Sequence, residues 1–443
     1  MFRGGVAGFG PHLGSPEDNP PARGIPIAQR FIGKDTMAAI GPAQGHEENK
    51  ADHGMKSDPR PTSVELFSGC GGLALGLSRA GFRHLVLVER DRDAAETVAR
   101  NAANGVAHIA HWPYRRIDAS DMDWTAFKSA DVVAGGPPCQ PFGIGGKARG
   151  SDDARDMWPE AVRAIRDAEP LAFAFENVSG LLRDRFQDYV AWVKASLEHP
   201  HLPRRGGETH DAHLRRLSRE PKRYEVAIHP VNAADFGAPQ NRRRVLFLGT
   251  RAPGIAPPSL PEATHSRDRL LWDQFVTGDY WDRHGLAKSG RTPSLLPDTG
   301  RVARLLSANT LPPGRPWITV RDALHDLGRP NAINFHRFQP GARSYPGHTG
   351  SPLDLPAKAL KAGDHGVPGG ENMLVQDDGA VRYFTLRESA RLMGLPDDFV
   401  FPGSWSESMR QMGNAVPVPL GEAIGQWLAG RVAAARAENQ RAA

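Results

Sequence analysis

The stretch that decides the fold is "SVELFSGCGGLALGLSRAG", residues 63–81, where a short apolar run ends in a cluster of glycines. "SVELF" predicts a buried strand, and "LALGLSRAG" predicts a helix that ends at Gly81. The apolar run "HLVLVE" (84–89) predicts a second strand, and the helical pattern "DRDAAETVARNA" (91–102) follows it. Alternating strands and helices around a glycine turn predict a βαβ unit of a parallel sheet.

The same alternation continues downstream. Further strands are predicted at "DVVAGG" (131–136), "LAFAFENV" (171–178), "RYEVAIHPV" (223–231) and "RRVLFLG" (243–249), with a helix at "MWPEAVRAIRDA" (157–168). Short buried strands that alternate with helices favour a mostly parallel, doubly wound α/β sheet. We therefore expect one catalytic and cofactor-binding domain over residues 59–250.

Three other regions differ from this pattern in their composition and apolar periodicity. Residues 1–58 are rich in Gly, Pro and polar side chains, which predicts a disordered N-terminal extension. Residues 251–380 scatter Pro, Gly, Arg and His through weakly periodic sequence, which predicts a separate, loop-rich domain. Residues 381–443 begin with the capping box "TLRE" (385–388) and end in a long helix. This last segment is expected to return to the first domain.

Composition narrows the class of protein. The 443 residues carry a net charge of +5, which permits a nucleic-acid partner without requiring one. The two cysteines cannot build a disulfide framework or a four-thiolate zinc site, so no metal site is predicted. No run of about 18 apolar residues is present, so no membrane association is expected. A cytoplasmic protein fits best.

The glycine cluster predicts a cofactor loop. Gly69, Gly71 and Ala74 fit the G-x-G-x-x-G/A pattern that binds dinucleotides at the start of a helix. Glu89 ends the second strand, where an acid accepts hydrogen bonds from ribose hydroxyls. The loop therefore predicts a nucleoside-bearing cofactor, either NAD or S-adenosylmethionine. The alternative is a tight turn that only permits close helix–strand packing. Cys70, inside the loop, is interpreted as a packing residue.

The other cysteine, Cys139, lies in "GGPPCQPFG", residues 135–143. This loop follows a predicted strand, so it begins at the sheet edge where α/β proteins bind their ligands. The prolines on both sides fix φ and hold the thiol in one direction. Cys139 is therefore a candidate nucleophile, which requires nearby positive charge or a helix N-terminus to stabilise the thiolate. The alternative is an inert, buried cysteine.

Charged residues end or begin two of the other strands. Glu176, at the end of an apolar run, is expected at the same sheet edge, where apolar surroundings help a carboxyl to retain a proton. Arg242 and Arg244 flank Arg243 and are expected to share one face and to hold Glu176 or an anionic group. The alternatives are a helix-capping glutamate and a solvated arginine cluster.

Taken together, these segments resemble the cytosine C5-specific DNA methyltransferase family of bacterial restriction-modification systems. The matching pieces, in chain order, are "FSGCGG", "VER", "DAS", "GGPPCQPFG", "FENV", "APQNRRRVLFLG", "RYFTLRESARLMGLPDDF" and "QMGNAVPVPL". The resemblance implies a Rossmann-like S-adenosylmethionine-dependent methyltransferase sheet. It also implies that residues 251–380 are an inserted, smaller target-recognition domain that binds DNA.

The resemblance also assigns roles to single residues. Cys139 would attack C6 of a flipped-out cytosine, Glu176 would protonate N3, and Arg242 and Arg244 would support the base and the acid. The implied cofactor pocket for S-adenosylmethionine comprises Phe67, Ser68, Gly69, Cys70, Gly71, Gly72, Leu73, Glu89, Arg90, Asp118, Ala119, Pro138, Asn414 and Val416. Within that pocket, Glu89 would bind the ribose and Asp118 the adenine amino group.

DNA contacts are predicted in three places. The glycine-rich segment 143–156 is expected to form a lid that closes over the flipped base, with Lys147 and Arg149 on phosphates. "PAKALKAGDHGVPGGEN" (356–372) is expected to bring cations to a DNA groove. In this segment the predicted DNA-contact residues are Lys358, Lys361 and His365. In the family motifs they are Gln140 and Gln240. The alternatives are a plain linker and a surface loop that does not contact DNA.

The implied partner is double-stranded DNA, bound by a monomer in the bacterial cytoplasm and associated with the nucleoid. The family is compatible with a cognate restriction endonuclease encoded elsewhere. Three rival functions remain open: a tRNA cytosine C5 methyltransferase of the same motif family, an NAD-dependent oxidoreductase, and a DNA-binding module without activity. The oxidoreductase would leave Cys139 and Glu176 without a role, and the intact "PPCQ" and "FENV" segments speak against an inactive module.

Overall fold

The computed structural model describes residues 58–138, 156–251, 258–286, 299–346, 349–362 and 372–442. The strands of this part of the chain are β1 (Thr62–Leu66), β2 (Arg83–Glu89), β3 (Tyr114–Arg116), β4 (Val132–Gly135), β5 (Ala172–Val178), β6 (Glu225–Asn232), β7 (Gln240–Asn241), β8 (Arg243–Thr250), β9 (His265–Ser266), β10 (Arg315–Pro316), β11 (Ser351–Pro352), β12 (Ala357–Lys358), β13 (Met373–Val375) and β14 (Val381–Tyr383). Its α-helices are α1 (Gly72–Arg79), α2 (Arg92–Ala103), α3 (Trp158–Ala168), α4 (Gln187–Glu198), α5 (His210–Leu217), α6 (Arg267–Phe275), α7 (Asp279–Arg283), α8 (Thr299–Ala308), α9 (Val320–Leu324), α10 (Leu386–Leu392), α11 (Trp405–Asn414) and α12 (Val418–Ala442).

A seven-stranded sheet in the order β3-β2-β1-β4-β5-β8-β6 forms the centre of the fold. Strands β3, β2, β1, β4 and β5 pair in parallel, while β8 runs antiparallel to both β5 and β6. Helices cover both faces, so the predicted α/β fold is confirmed, with one antiparallel strand in a mostly parallel sheet. The edge strand β3 was not predicted, because its three residues, Tyr-Arg-Arg, form no apolar run.

The two faces of the sheet bury different side chains. On one face, α3 and α4 cover an aromatic core in which the ring of Trp158 lies 4.6 Å from that of Phe247. On the other face, Leu77 of α1 packs with Leu420 of α12 against the sheet. Helices α1 and α12 approach so closely that a Cβ atom on Gly76 would lie 2.4 Å from the backbone of Gly421. The last helix therefore packs directly on the helix that follows the glycine loop.

A third core joins α2 to the chain before and after α10. Val98 of α2 packs in one cluster with Phe384, Phe399 and Met412. The predicted capping box is confirmed: the Thr385 side chain caps α10 and the side chain of the third helical residue, Glu388, reaches back. A smaller cluster, formed by Leu270, Tyr280 and Trp281, holds α6 and α7 together.

Two predicted segments lie largely or wholly outside the described residues: the extension over 1–58, of which the structure describes only Asp58, and the lid over 143–156, of which it describes only Asp156. In the part of the chain that is described, no helix has the length and apolar character needed to cross a membrane.

His84 forms a buried polar junction between β1, β2 and α1. Its Nδ1 lies 2.8 Å from the Ser63 hydroxyl, and its Nε2 lies 3.0 Å from the Ala74 carbonyl. Since that carbonyl only accepts, Nε2 carries the proton and Nδ1 accepts from Ser63. Burial lowers the pKa of His84 from 6.5 to about 4, so the folded protein holds this histidine neutral.

We expect His84 to make the free energy of unfolding fall as the pH falls from 6.5 towards 4. In that pH range the histidine is protonated in the unfolded chain but neutral in the folded protein. Above pH 6.5 it is neutral in both states, so its contribution to the free energy of unfolding is complete. His84→Gln keeps an amide donor but cannot titrate, so the stability difference between wild type and variant should shrink over this range by about 3 kcal/mol. Urea denaturation at several pH values measures this difference. A difference that stays constant with pH would contradict the assignment.

Candidate active site

A cavity of about 300 Å³ opens at the carboxyl ends of β1, β2, β4 and β5. Five pieces of chain line it, at Phe67–Cys70, Glu89–Asp91, Gly136–Pro138, Glu176–Val178 and Gly413–Val416. The described residues of the glycine loop, of the cysteine loop, of "FENV" and of the C-terminal return therefore meet at one sheet edge. Cys70 is buried beside this cavity, and burial raises the pKa of its thiol to about 12, so it stays protonated.

Left-handed backbone shapes the glycine loop. Phe67, Gly69 and Gly71 have φ values of 56°, 54° and 90°, a region in which a phenylalanine is strained. A Cβ atom on Gly71 would lie 2.5 Å from the Trp112 ring, and one on Gly72 would lie 2.2 Å from the Val416 carbonyl oxygen. Gly71 and Gly72 therefore permit packing against protein. Neither lines the cavity, which differs from the predicted cofactor contact.

Glu89 is held as a fixed acceptor at the cavity wall. Its Oε2 accepts from the Gly69 N–H at 3.0 Å, and its Oε1 accepts from the Asp91 N–H at 2.8 Å. Each carboxylate oxygen retains a further lone pair. The geometry suits a ligand that presents two neighbouring hydroxyl groups.

A smaller cavity of about 50 Å³ shares four lining residues with the first: Phe67, Glu89, Arg90 and Pro138. Ile117, Ala119 and Met157 add apolar surface, and Asp118 adds a carboxylate. Hydrogen bonds from the backbone and side chain of Ser120 and an ion pair with Arg90 lower the pKa of Asp118, so it is an ionised acceptor. This slot suits a flat ring with an exocyclic donor.

Besides Glu176 Oε1, two buried oxygens on residues that line the larger cavity have no hydrogen-bond partner among the described residues. They are Glu65 Oε2 and Gln411 Oε1, on residues that are 1% and 5% exposed. Burial raises the pKa of Glu65 well above its usual value. Orphaned buried acceptors favour a ligand that carries N–H donors. The ring slot, the diol acceptor and these groups together suit a ligand that carries a flat ring, two neighbouring hydroxyl groups and a polar end.

Glu176 and Arg244 form a largely buried ion pair. The Arg244 Nε lies 2.6 Å from Glu176 Oε1, and the two side chains are 13% and 9% exposed. The antiparallel pairing of β5 with β8 places them together, since Val178 is the direct register partner of Arg244. A Cβ atom on Gly136 would lie 3.7 Å from Glu176 Oε2, so the cysteine loop begins in contact with this carboxyl.

Asn177 connects the same strand to the cysteine loop. Its Nδ2 donates to the Pro137 carbonyl at 3.0 Å, and its Oδ1 accepts from the Val178 N–H at 2.8 Å. The side chain is buried, so both bonds are protected from water. Asn177 therefore fixes the backbone two residues before Cys139, a position outside the described residues.

The structure corrects two predictions for the segment before β8. Arg242 is fully buried and donates to the carbonyls of Leu360, Gly413 and Ala415 at 2.9, 2.6 and 2.9 Å. These bonds brace the C-terminal wall of the cavity, whereas Arg244 pairs with Glu176, so the two side chains make different contacts in the described chain. Gln240 is also fully buried and donates to the Leu392 carbonyl, so its predicted DNA contact is wrong.

Besides Gln240, two of the predicted DNA-contact residues, Lys358 and Lys361, lie in described chain. Lys358 is in β12, which pairs with β7, and its Nζ donates to the Thr349 hydroxyl at 2.9 Å. Lys361 is tied to Asn372 through its backbone. Gln140, Lys147, Arg149 and His365 lie outside the described residues, as does Cys139.

Comparison with known proteins decides the family. Residues 62–277 and 332–429 match the family described as C-5 cytosine-specific DNA methylase.

The chain belongs to this family.

The relatives of this DNA methylase include Type II methyltransferases of bacteria. It is 28% identical over 375 residues to the Type II methyltransferase M.NgoMIV of Neisseria gonorrhoeae. This alignment covers 83% of this chain and 96% of the relative. The chain is 30% identical over 380 residues to the Type II methyltransferase M.AplI of Arthrospira platensis, which covers 86% and 88%. The solved S. pombe Dnmt2 methyltransferase aligns at 16% identity and a TM-score of 0.47, over 84% of this chain and 99% of that one.

Arg410 of the methylase was missed by sequence reasoning. It lines the cavity and pairs with Asp91, at the start of α2, at 2.8 Å and with Glu407 at 2.7 Å. The bond to Asp91 joins residues that are 319 positions apart, and no local pattern predicts such a contact. Asn177 could have been found, because it lies inside the quoted "FENV" segment.

We expect Asn177→Asp to lower kcat about tenfold, because aspartate has the same shape but cannot donate to the Pro137 carbonyl. The KM for DNA and the melting temperature should change much less. Steady-state methylation kinetics measure the split. A kcat equal to that of the wild type would show that this bond does not position the cysteine loop.

We expect Asp91→Asn to weaken binding of the methyl-donor cofactor about threefold. Asparagine still caps α2 through Ala94, but it loses the ion pair with Arg410, which is partly exposed and therefore modest. Isothermal titration calorimetry with S-adenosylmethionine measures the change. Asp93→Asn, on the same turn, is the matched control and should leave affinity unchanged; equal losses in both variants would point to a general charge effect.

Proposed function

We propose that this methylase transfers a methyl group from S-adenosylmethionine to C5 of a flipped-out cytosine within a specific duplex sequence. The observation that carries the proposal is the meeting of the Glu176–Arg244 pair, the start of the Cys139 loop and the two-part cavity at one sheet edge. The fit of the chain to most of the length of two Type II methyltransferases supports a role in host-DNA protection within a restriction-modification system.

The chain offers a complete set of groups for S-adenosylmethionine. Phe67 and Ala119 would flank the adenine and Asp118 would accept from its amino group, while Glu89 would accept from the ribose hydroxyls. Glu65 and Gln411 would meet the amino-acid end. When bound, S-adenosylmethionine supplies an electrophilic methyl group.

The chemistry requires cytosine C5 to become nucleophilic, which the free ring is not. The Cys139 thiolate adds to C6 while Glu176 delivers a proton to N3, so that the ring electrons become available at C5. After C5 has gained the methyl group, a water molecule removes the C5 proton, the C6–S bond breaks to release the thiolate, and N3 returns its proton to Glu176, which restores the aromatic ring. Arg244 holds Glu176 in place through the ion pair, and the Asn177 bond keeps the cysteine loop against the carboxyl.

A cytosine inside the helix cannot reach a thiol at the sheet edge, so the base must leave the stack. We propose that residues 251–380 recognise the target sequence, with Lys358, Lys361 and His365 near the duplex. We further propose that Gln140, Lys147 and Arg149 of the cysteine loop and lid close over the flipped base. The enzyme would act as a monomer in the bacterial cytoplasm on nucleoid DNA, alongside a cognate endonuclease.

The proposal is tested by expression in a methylation-free host, followed by bisulfite sequencing of host DNA. We expect new 5-methylcytosine at one recurring sequence, and none with Cys139→Ala. Duplex DNA with 5-fluorocytosine at the mapped position should trap a covalent adduct of wild type, because the fluorine cannot leave as a proton does. No new 5-methylcytosine from a folded wild type would overturn the function, and an adduct that survives Cys139→Ala would identify another nucleophile.

A further inference from the structure

Residues 199–223 concentrate the positive charge of the chain. These 25 residues contain six arginines, one lysine and three acidic residues, a net charge of +4, whereas all 443 residues together carry +5. None of the motifs quoted above falls in this segment. Arginine is the side chain best suited to phosphate, because its planar guanidinium donates two parallel hydrogen bonds.

The segment is an ordered part of the fold. Helix α5 packs on α4, where Trp192 Nε1 donates to His213 Nδ1 at 3.1 Å and Leu217 is fully buried. The other ring nitrogen of His213 lies 2.8 Å from the Leu202 carbonyl, which ties the preceding loop to the helix. One face of α5 is therefore fixed against the protein, and the opposite face presents its charges to solvent.

Four arginines of this segment are exposed and have no carboxylate within ion-pair distance in the described chain. They are Arg205, Arg215, Arg219 and Arg223. Nearby cations behave differently: Arg216 pairs with Glu208 at 2.8 Å, and Lys222 pairs with Glu198 at 2.8 Å. The four arginines thus keep their guanidinium groups available for an external anion.

The C-terminal part of this segment lies at the opposite ends of the strands from the active site. Glu225, just after the segment, pairs in register with Thr250, which in turn pairs with Ala172 at the start of β5. Glu176 lies four residues further along β5, about 13 Å away at 3.3 Å per residue. A duplex in the catalytic cleft would therefore engage the other ends of the strands.

We propose that residues 199–223 form a second DNA-binding surface, which holds the phosphate backbone of another duplex segment without sequence preference. The inference rests on the proposed function, because it assumes that the first duplex occupies the catalytic edge. Binding would be electrostatic, because the unpaired arginines neutralise regularly spaced phosphates and release the counterions condensed on them. Two duplex segments held at once allow the enzyme to pass between sites on one DNA molecule.

The test first fills the catalytic site. Wild type is trapped on an immobilised duplex that carries 5-fluorocytosine at the mapped target, and a fluorescent non-target duplex is then added over a range of salt concentrations. Adduct formation reports on the proposed function, and capture of the second duplex reports on this inference, so their failures are told apart. The variant replaces Arg205, Arg215, Arg219 and Arg223 with Gln. The matched control replaces Arg79, Arg100, Arg115 and Arg441 with Gln; these residues are also exposed and have no carboxylate within ion-pair distance in the described chain.

We expect the trapped wild type to capture the second duplex at low salt, and the fourfold variant to bind it at least tenfold more weakly. Because the variant loses four arginine–phosphate contacts, its slope of log affinity against log salt should be less negative by about 3.6. The affinity of the control variant for the second duplex should stay within about twofold of that of the wild type, which corresponds to a free-energy difference of RT ln 2. The inference is overturned if the trapped wild type captures no second duplex, or if variant and control lose the same affinity.

Discussion

The fold depends on the close contact between the glycine loop and the C-terminal return. Gly72 leaves no room for a side chain beside the Val416 carbonyl, and Gly76 lets the backbone of α12 touch α1. Arg242 supports the same wall by donating to the carbonyls of Gly413 and Ala415. The cofactor cavity therefore has walls from both ends of the described chain, and the segments between them extend from the contact that joins those two ends.

The active site follows from this constraint together with the one antiparallel strand. Since β8 runs against β5, Arg244 at the beginning of β8 reaches Glu176 near the end of β5. A parallel strand in that position would have placed its first residues at the opposite edge. The acid, its arginine partner and the start of the cysteine loop are thus brought together by strand direction, with Asn177 as the link.

The local elements were predictable, and the long-range contacts were not. The apolar runs and the capping signals predicted β1, α1, β2 and α10, because burial and capping are properties of short segments. Strand β3 escaped prediction because it is short and charged. Gln240 and Arg242 resemble surface residues in a polar stretch, yet both are fully buried against chain more than a hundred residues away. Such burial depends on tertiary packing, which sequence periodicity does not encode.

The C-terminal wall of the cavity has a consequence for synthesis of the chain on the ribosome. The Asp91–Arg410 bond joins residues that are 319 positions apart, so the cavity cannot be complete until the chain has been synthesised beyond Arg410. The parallel strands β1, β2 and β4 can pair long before that moment. A nascent or prematurely terminated chain would contain much of the sheet but no finished methyl-donor pocket. Catalytic competence is thereby tied to synthesis of the C-terminal return.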